Sequence, residues 1–237
     1  MGRYARALSA VVTVILRSLF LYGFSKLRRG SISLSIVHVV LAIISGLGSV
    51  ELLVLYTIPI ATLYTALRMY ILLIYTLAVS SIPGLWMALT QLLLDVAKGV
   101  VDPYRYLAIY ARATLISLNI MFTLHTLNPT EISKLFDRAK RFSGVYAQLF
   151  MRIASFLVKE GIEIVHTHSL KRESLWKTLA ILILRGDEIA KGFSEGLIPK
   201  YRRYRSTAIY DIKTVLLQLT IIIYDAILIL ITTTFIQ

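Results

Sequence analysis

Two charged residues lie inside otherwise apolar stretches of this chain, and they are its clearest candidates for chemistry. Arg112 and Asp225 each interrupt a run of apolar residues long enough to cross a membrane. An ionisable side chain in such a place is costly and is usually functional. We expect a buried pair or a contact to a partner subunit; Arg112 can alternatively extend its charged end to the membrane surface. Asp225 is short and lies in mid-segment, so we expect it to have a buried partner.

The four histidines give little sign of a metal site. His166 and His168 are two residues apart and would point to different faces of a helix, which is poor geometry for sharing a metal. We interpret them as a solvated helix end, and we expect His38 and His125 to be packed or interfacial. The chain has no cysteine, which excludes disulfides, thiolate chemistry and cysteine metal sites. No metal or cofactor is predicted.

Sequence motifs of common enzyme classes are absent as well. The chain has no Gly-x-x-x-x-Gly-Lys-Ser/Thr loop to hold a nucleotide, no His-Glu-x-x-His and no Gly-x-Ser-x-Gly. An integral membrane enzyme acting on lipid or prenyl substrates ranks lowest among the function classes, because paired acidic motifs are missing. We therefore expect a protein that is not an enzyme.

The segments that must position these residues have the composition of an integral membrane protein. Hydrophobic residues make up 57% and charged residues 16% of the chain, with a mean hydropathy of +0.73, whereas about a quarter of the residues of a soluble domain are charged. The net charge of +13 comes from basic residues that flank apolar segments, as the positive-inside rule predicts. It indicates cytoplasmic retention and attraction to the lipid bilayer, and no nucleic-acid partner.

Apolar stretches with at most one charged residue each predict an all-α fold with about five membrane spans. They cover residues 31–50, 52–67, 69–94 with a break at Pro83-Gly84, 106–126 and 214–236. The apolar run at 8–24 contains Arg17 and has basic flanks, so we interpret it as an interfacial helix. The chain then divides into a transmembrane domain at 1–126, a cytoplasmic region at 127–213 and a final membrane helix at 214–237.

A topology follows from the charges between the spans. With the N-terminus in the cytoplasm, the turn at Glu51 and the charge-balanced loop 95–105 lie outside, while Arg68 and the strongly charged region lie inside. We expect a multi-pass protein of the cell membrane.

The cytoplasmic region is predicted to hold two or three long amphipathic helices. Asn128 can cap the first of them, with Pro129 at the first helical position and the Glu131 carboxylate reaching back to the cap. Apolar residues between 142 and 157 recur at the spacing of one helical face, and a second such segment covers 175–189. Helices of this kind need a partner or a membrane surface.

Short motifs in the C-terminal half add a family resemblance. A Thr-x-Pro-like turn at 126–130 is followed by Arg152 and Glu160, and then by the triplet Leu170-Lys171-Arg172. The second triplet, Ser194-Glu195-Gly196, precedes a basic cluster, an aspartate and the last span; these residues are Lys200, Arg202, Arg203, Arg205 and Asp211. From Tyr106 onward this order resembles the transmembrane (T) component of energy-coupling factor transporters, which take up cobalt, nickel or vitamins.

The resemblance implies partners and roles. In that family two Ala-Arg-Gly-type motifs end coupling helices that dock in grooves of a pair of cytoplasmic ATPases, where the arginine meets an acidic residue. The membrane helices reorient a separate, small substrate-binding membrane protein, which selects the substrate. The positions here that would contact the ATPases are Leu170, Lys171, Arg172, Ser194, Glu195, Gly196, Arg202 and Arg203.

The triplets depart from the family motif in their charges. Lys171 keeps the positive charge without the planar fork of arginine, and Glu195 reverses it. Three interpretations follow: the ATPase pair is unusual, Lys191 or Lys200 has taken over, or the chain no longer couples.

A function of another class fits the same pattern of spans and cytoplasmic helices. A membrane platform or scaffold protein of a secretion or filament system would also combine the two. Co-purified proteins would distinguish them, because ATPases with a small membrane protein indicate a transporter and filament subunits indicate a platform.

Overall fold

The computed structural model describes residues 14–15, 18, 27, 29–139, 143–144, 146–147, 150, 160–161, 163–164, 167, 171, 175–201 and 209–235. Those residues contain helices and no strands, which confirms the all-helical class for this part of the chain. Seven helices are described: α1 (Ile32–Leu47), α2 (Val50–Ala66), α3 (Tyr70–Ala97), α4 (Pro103–Thr126), α5 (Pro129–Ala139), α6 (Leu175–Tyr201) and α7 (Ile212–Phe235). Most of the predicted interfacial helix at 8–24 and of the amphipathic face at 142–157 lies outside the described residues.

The described residues divide into two compact units. The first, which we call the membrane bundle, comprises residues 27–127 and 210–235 and contains α1 to α4 and α7. The second, which we call the charged unit, comprises the described residues within 1–23 and 128–209 and contains α5 and α6.

Three helices of the bundle are long and apolar enough to cross a membrane. Within the described part of the chain they are Tyr70–Ala97, Pro103–Thr126 and Ile212–Thr232. The apolar helices α1 and α2 have 16 and 17 residues and are therefore only about 24–26 Å long, against about 30 Å of hydrocarbon. Three of the five predicted spans are thus helices of sufficient length, and crossing by α1 and α2 belongs to the topology proposed below.

Polar residues at the turns determine where several bundle helices begin. The Ser49 hydroxyl accepts a hydrogen bond from the amide of Leu52 at the start of α2 (3.1 Å). Asp102 accepts from two amides in the first turn of α4. At α7, the hydroxyl of Thr214 donates to Asp211 (2.7 Å) and is the main cause that lowers the pKa of Asp211. The side chains of Ser49 and Asp102 thus satisfy amides that have no partner within the helix.

The predicted break at Pro83-Gly84 is wrong, because α3 continues through both residues. A proline removes one backbone hydrogen bond, but packing in a membrane bundle can compensate for it. Gly84 lies directly against α4: a β-carbon there would be 2.8 Å from the Tyr110 carbonyl oxygen and would overlap Thr114. The missing side chain therefore lets α3 pack closely on α4, and this contact keeps the helix continuous.

Replacing Gly84 with alanine is expected to destabilise the bundle by about 1–3 kcal/mol, because the added methyl group overlaps backbone atoms of α4. Gly192→Ala is the matched control, since Gly192 is also helical and a β-carbon there would have no neighbour within 4 Å. Its higher helix propensity should stabilise α6 by up to about 1 kcal/mol. Unfolding of both variants in detergent gives the test, and equal effects would contradict the close approach.

The bundle helices alternate in direction along the chain. We call the end of the bundle at which α1 begins the Gly30 end. The amide of Gly30, just before α1, donates to the carbonyl of Thr126 at the end of α4 (3.1 Å). The amide of Asp211, just before α7, donates to the carbonyl of Arg29 (3.1 Å). Helices α1 and α7 therefore both start at this end, and α4 finishes there.

The outer surface of the bundle is apolar. Large side chains such as Trp86 and Leu93 of α3 are 73% and 71% exposed. A soluble monomer rarely exposes contiguous apolar surface on this scale, whereas a bilayer would cover it.

The charged unit begins with the predicted cap. Both the amide and the hydroxyl of Thr130 donate to Asn128 Oδ1, at 3.1 and 2.7 Å, and α5 starts at Pro129. The Asn128 amide group also donates to the carbonyl of Ile209 (2.9 Å). Asn128 thus joins the two ends of the unit, while the return contact from the Glu131 carboxylate stays a prediction.

Helix α6 is longer than the sequence predicted. It runs from Leu175 to Tyr201, so Ser194-Glu195-Gly196 lies inside the helix and not at its end. A glycine ends a helix when it adopts a left-handed conformation after the last turn, whereas Gly196 is itself helical. The second triplet therefore lies along a helix and not at a helix tip.

Candidate functional site

The buried centre of the membrane bundle is a histidine–aspartate pair. Asp225 of α7 is fully buried, and its Oδ2 lies 3.2 Å from Nδ1 of His38, which is also buried. The pair follows from the parallel course of α1 and α7. Ser31 contacts Gln218 at the Gly30 end (2.8 Å), and His38 and Asp225 are each seven residues further along, which brings both back to the same faces after about two turns.

A chain of hydrogen bonds determines the orientation of the His38 ring. The Asn119 side chain donates from Nδ2 to the Leu115 carbonyl (2.8 Å) and to the hydroxyl of Thr57 (3.1 Å). Thr57 donates its own proton to the carbonyl of Leu53 (2.8 Å). Asn119 Oδ1 therefore faces His38 Nε2 at 3.1 Å. Because that oxygen can only accept, Nε2 must carry a hydrogen.

Aromatic side chains enclose the same ring. The hydroxyl oxygen of Tyr56 lies 3.1 Å from His38 Nδ1 and donates to the carbonyl of His38 (2.9 Å). The Tyr56 ring stacks on the imidazole at 5.3 Å, and Phe122 meets it edge-on at 5.5 Å. Four helices thus hold the imidazole: α1 carries it, and α2, α4 and α7 contact it.

A small cavity adjoins His38 on the side of the Gly30 end. Its volume is about 10 Å³, which is the space that one water molecule requires. Polar groups meet there: Gln218 donates to the hydroxyl of Ser35 (3.0 Å), which lies 3.4 Å from that of Thr126. The lining residues are Leu34, Ser35, His38, Phe122, Thr123, Thr126, Gln218, Ile221 and Ile222.

The two charges singled out in the sequence do not pair with each other. Arg112 donates from Nη2 to the carbonyl of Gly48 (2.9 Å), in the turn between α1 and α2. Its Nε is buried and has no hydrogen bond within the described residues. Asp225 has the buried partner that was expected for it, and that partner is His38.

The sequence predicted that His38 is packed or interfacial and did not assign Tyr56, Thr57 or Asn119 to a site. The signal that could have found them is the presence of polar side chains in apolar spans, since such groups must be satisfied inside the bundle. His125 is packed as expected, with Nδ1 against the hydroxyl of Tyr64 at 2.5 Å. In the described part of the chain, no three acidic or histidine side chains are grouped to hold a metal.

The predicted ATPase contacts are described only in part. Lys171 and Glu195 are exposed, and Ser194 and Gly196 are helical. Leu170, Arg172, Arg202 and Arg203 lie outside the described residues. Lys191, the alternative cation, forms an ion pair with Asp187 (2.7 Å), and this hydrogen bond raises the pKa of Lys191.

Glu160 has a structural role in the charged unit. Its carboxylate accepts two hydrogen bonds from Arg185 of α6, at 3.0 and 3.4 Å. Arg185 also donates to Glu188 (2.9 Å), and the Glu160 hydrogen bond is the main cause that raises the pKa of Arg185. Gly161 lies close to Leu182. Glu160 therefore ties its segment to α6.

Comparison with known proteins identifies no relative: no family model, curated protein or solved structure matches this chain.

Proposed function

We propose that the chain is the membrane-embedded coupling subunit of an ABC-type importer of the energy-coupling factor kind. In this function it has no enzymatic activity of its own. Two cytoplasmic ATPases supply the motion, and a small membrane protein binds the vitamin or metal ion. The proposal combines the resemblance of the C-terminal half with the two units of the fold, an apolar bundle and a charged unit with a long helix.

The observation that carries the proposal is the exposed apolar face of α6. Trp176 and Ile183 are 82% and 71% exposed, and they are seven residues apart, so they share one side of the helix. Leu184 beside them is 64% exposed. Charged residues border this face, among them Lys177 and Asp187. An apolar face with charged borders is typical of a helix that docks in a groove of a partner protein.

The topology proposed with this function has five spans and a cytoplasmic N-terminus in the cell membrane. The Gly30 end then faces the cytoplasm, because Arg29 and Arg68 lie there and the charged unit starts from the end of α4. Helices α1 and α2 are a few ångströms short, which local thinning of the bilayer can accommodate at modest cost.

Single-cysteine labelling tests this topology, and the chain is suited to it because it has no native cysteine. Glu195→Cys should react with a membrane-impermeant thiol reagent only after the cells are opened. Lys98→Cys, in the exposed turn between α3 and α4, should react in intact cells. The reverse labelling pattern would show that the topology is inverted and that the charged unit lies outside the cell.

Site-specific cross-linking tests the coupling function. A photo-reactive amino acid in place of Trp176 should form a covalent adduct with an ATPase subunit when the native assembly is irradiated. The control is the same amino acid at Leu93, which is equally apolar and exposed but lies on α3 of the bundle; it should capture lipid or the small membrane protein. An adduct of Trp176 with a filament or secretion subunit would favour the platform function instead.

A further inference from the structure

We propose that His38 and Asp225 form a proton-binding site inside the membrane bundle, which exchanges its proton with water in the adjoining cavity. The site lies within the bundle alone, so it does not depend on the coupling function of the charged unit.

The hydrogen-bond partners of His38 determine where its ring carries hydrogens. Nε2 of His38 already carries one, because it faces Asn119 Oδ1. Nδ1 faces Asp225 Oδ2 at 3.2 Å, and neither oxygen of Asp225 has an aligned hydrogen bond within the described residues. Two lone pairs at this distance would repel each other. One proton between Nδ1 and Oδ2 removes the repulsion, and the two groups hold it jointly.

The shared proton determines the net charge of the His38–Asp225 pair. Without this proton, the pair consists of a neutral imidazole and a carboxylate, so its net charge is −1. Uptake of one proton makes the pair neutral, whether the proton is on nitrogen or oxygen. Among the residues that the structure describes, no other ionised side chain acts on Asp225. Its titratable neighbour from α2 is Tyr56, and α4 contributes Asn119 and Phe122, which do not titrate. Proton uptake therefore decides whether the bundle centre is charged.

The cavity provides a route by which a proton can reach His38. The cavity reaches His38 on one side and Ser35, Thr126 and Gln218 on the other. Gln218 contacts the amide of Ser31 (2.8 Å) at the Gly30 end. These polar groups form a line of donors and acceptors from that end of the bundle to the imidazole, and a single water in the cavity would complete it. The proton is thus taken up from, and released to, the Gly30 end.

Wild-type protein in lipid bilayers provides the main test. With ¹⁵N-labelled histidine, the His38 nitrogen resonances should change with pH at the same midpoint as the infrared carboxyl and carboxylate bands of Asp225. His38→Gln and Asp225→Asn identify the two signals. Signals that stay constant between about pH 4 and pH 10, or that change independently of each other, would overturn the proposal.

The access route has its own test. Ser35→Ala removes a hydroxyl from the cavity and should slow exchange of the shared proton for deuterium by about tenfold or more. Ser81→Ala is the control, since Ser81 is half-buried in α3 and its hydroxyl donates to the carbonyl of Ala78 in the same helix; it should exchange at the wild-type rate. Equal rates in both variants would overturn access from the Gly30 end.

Discussion

His38→Leu should destabilise the membrane bundle by about 3–5 kcal/mol, the cost of leaving a buried charge without its partner. The substitution removes the only group that contacts Asp225 as an ion pair among the described residues, and it also leaves Asn119 Oδ1 without a donor. Reversible unfolding in mixed micelles of detergent and denaturant would measure the free energy of unfolding.

A second substitution separates the stranded carboxylate from the lost packing. Asp225→Asn keeps the shape of the side chain and removes its charge. The double variant His38→Leu with Asp225→Asn should therefore be more stable than His38→Leu alone. The matched control is His125→Leu. His125 is fully buried but contacts the neutral Tyr64, so it should lose about 1–3 kcal/mol, which Asp225→Asn should not restore. Additive losses at His38 and Asp225 would show that the two residues are not coupled.

Reversing the charge of Lys171 and Arg172 should abolish ATPase binding. Lys171→Glu with Arg172→Glu places negative charge where the resembled family presents positive charge to an acidic groove. Juxtaposed like charges cost several kcal/mol, and each 1.4 kcal/mol weakens binding about tenfold. The chain should still reach the membrane, since Lys171 is exposed. Quantifying the ATPase retained on the tagged chain gives the result.

Lys98→Glu is the control for this charge reversal, because Lys98 is exposed and lies in the turn after α3. It should retain the ATPases. Glu195→Arg is the complementary probe: it should strengthen binding to a conventional ATPase pair, or weaken it if the native partner presents a base. If neither Glu195→Arg nor the double substitution at Lys171 and Arg172 changes ATPase retention, the platform function should replace the coupling function.

Local signals in the sequence predicted local features well. The scarcity of charge located the apolar helices to within a few residues, since charge is costly in lipid, and Asn128-Pro129 marked the start of α5. Long-range features were not readable. His38 and Asp225 are 187 residues apart, and their common face appears only when α1 and α7 are known to run in parallel. Pro83 indicated a break because its effect on the backbone is local, whereas the contact of Gly84 with α4 is tertiary.

Native mass spectrometry of the assembly tests the coupling function most directly. The tagged chain would be isolated in lipid nanodiscs from cells that produce it naturally, and each bound subunit would be identified and counted. We predict that the chain is isolated with a pair of ATPase subunits and a small substrate-binding membrane protein. Isolation with filament or secretion subunits, or with no ATPase at all, would contradict it.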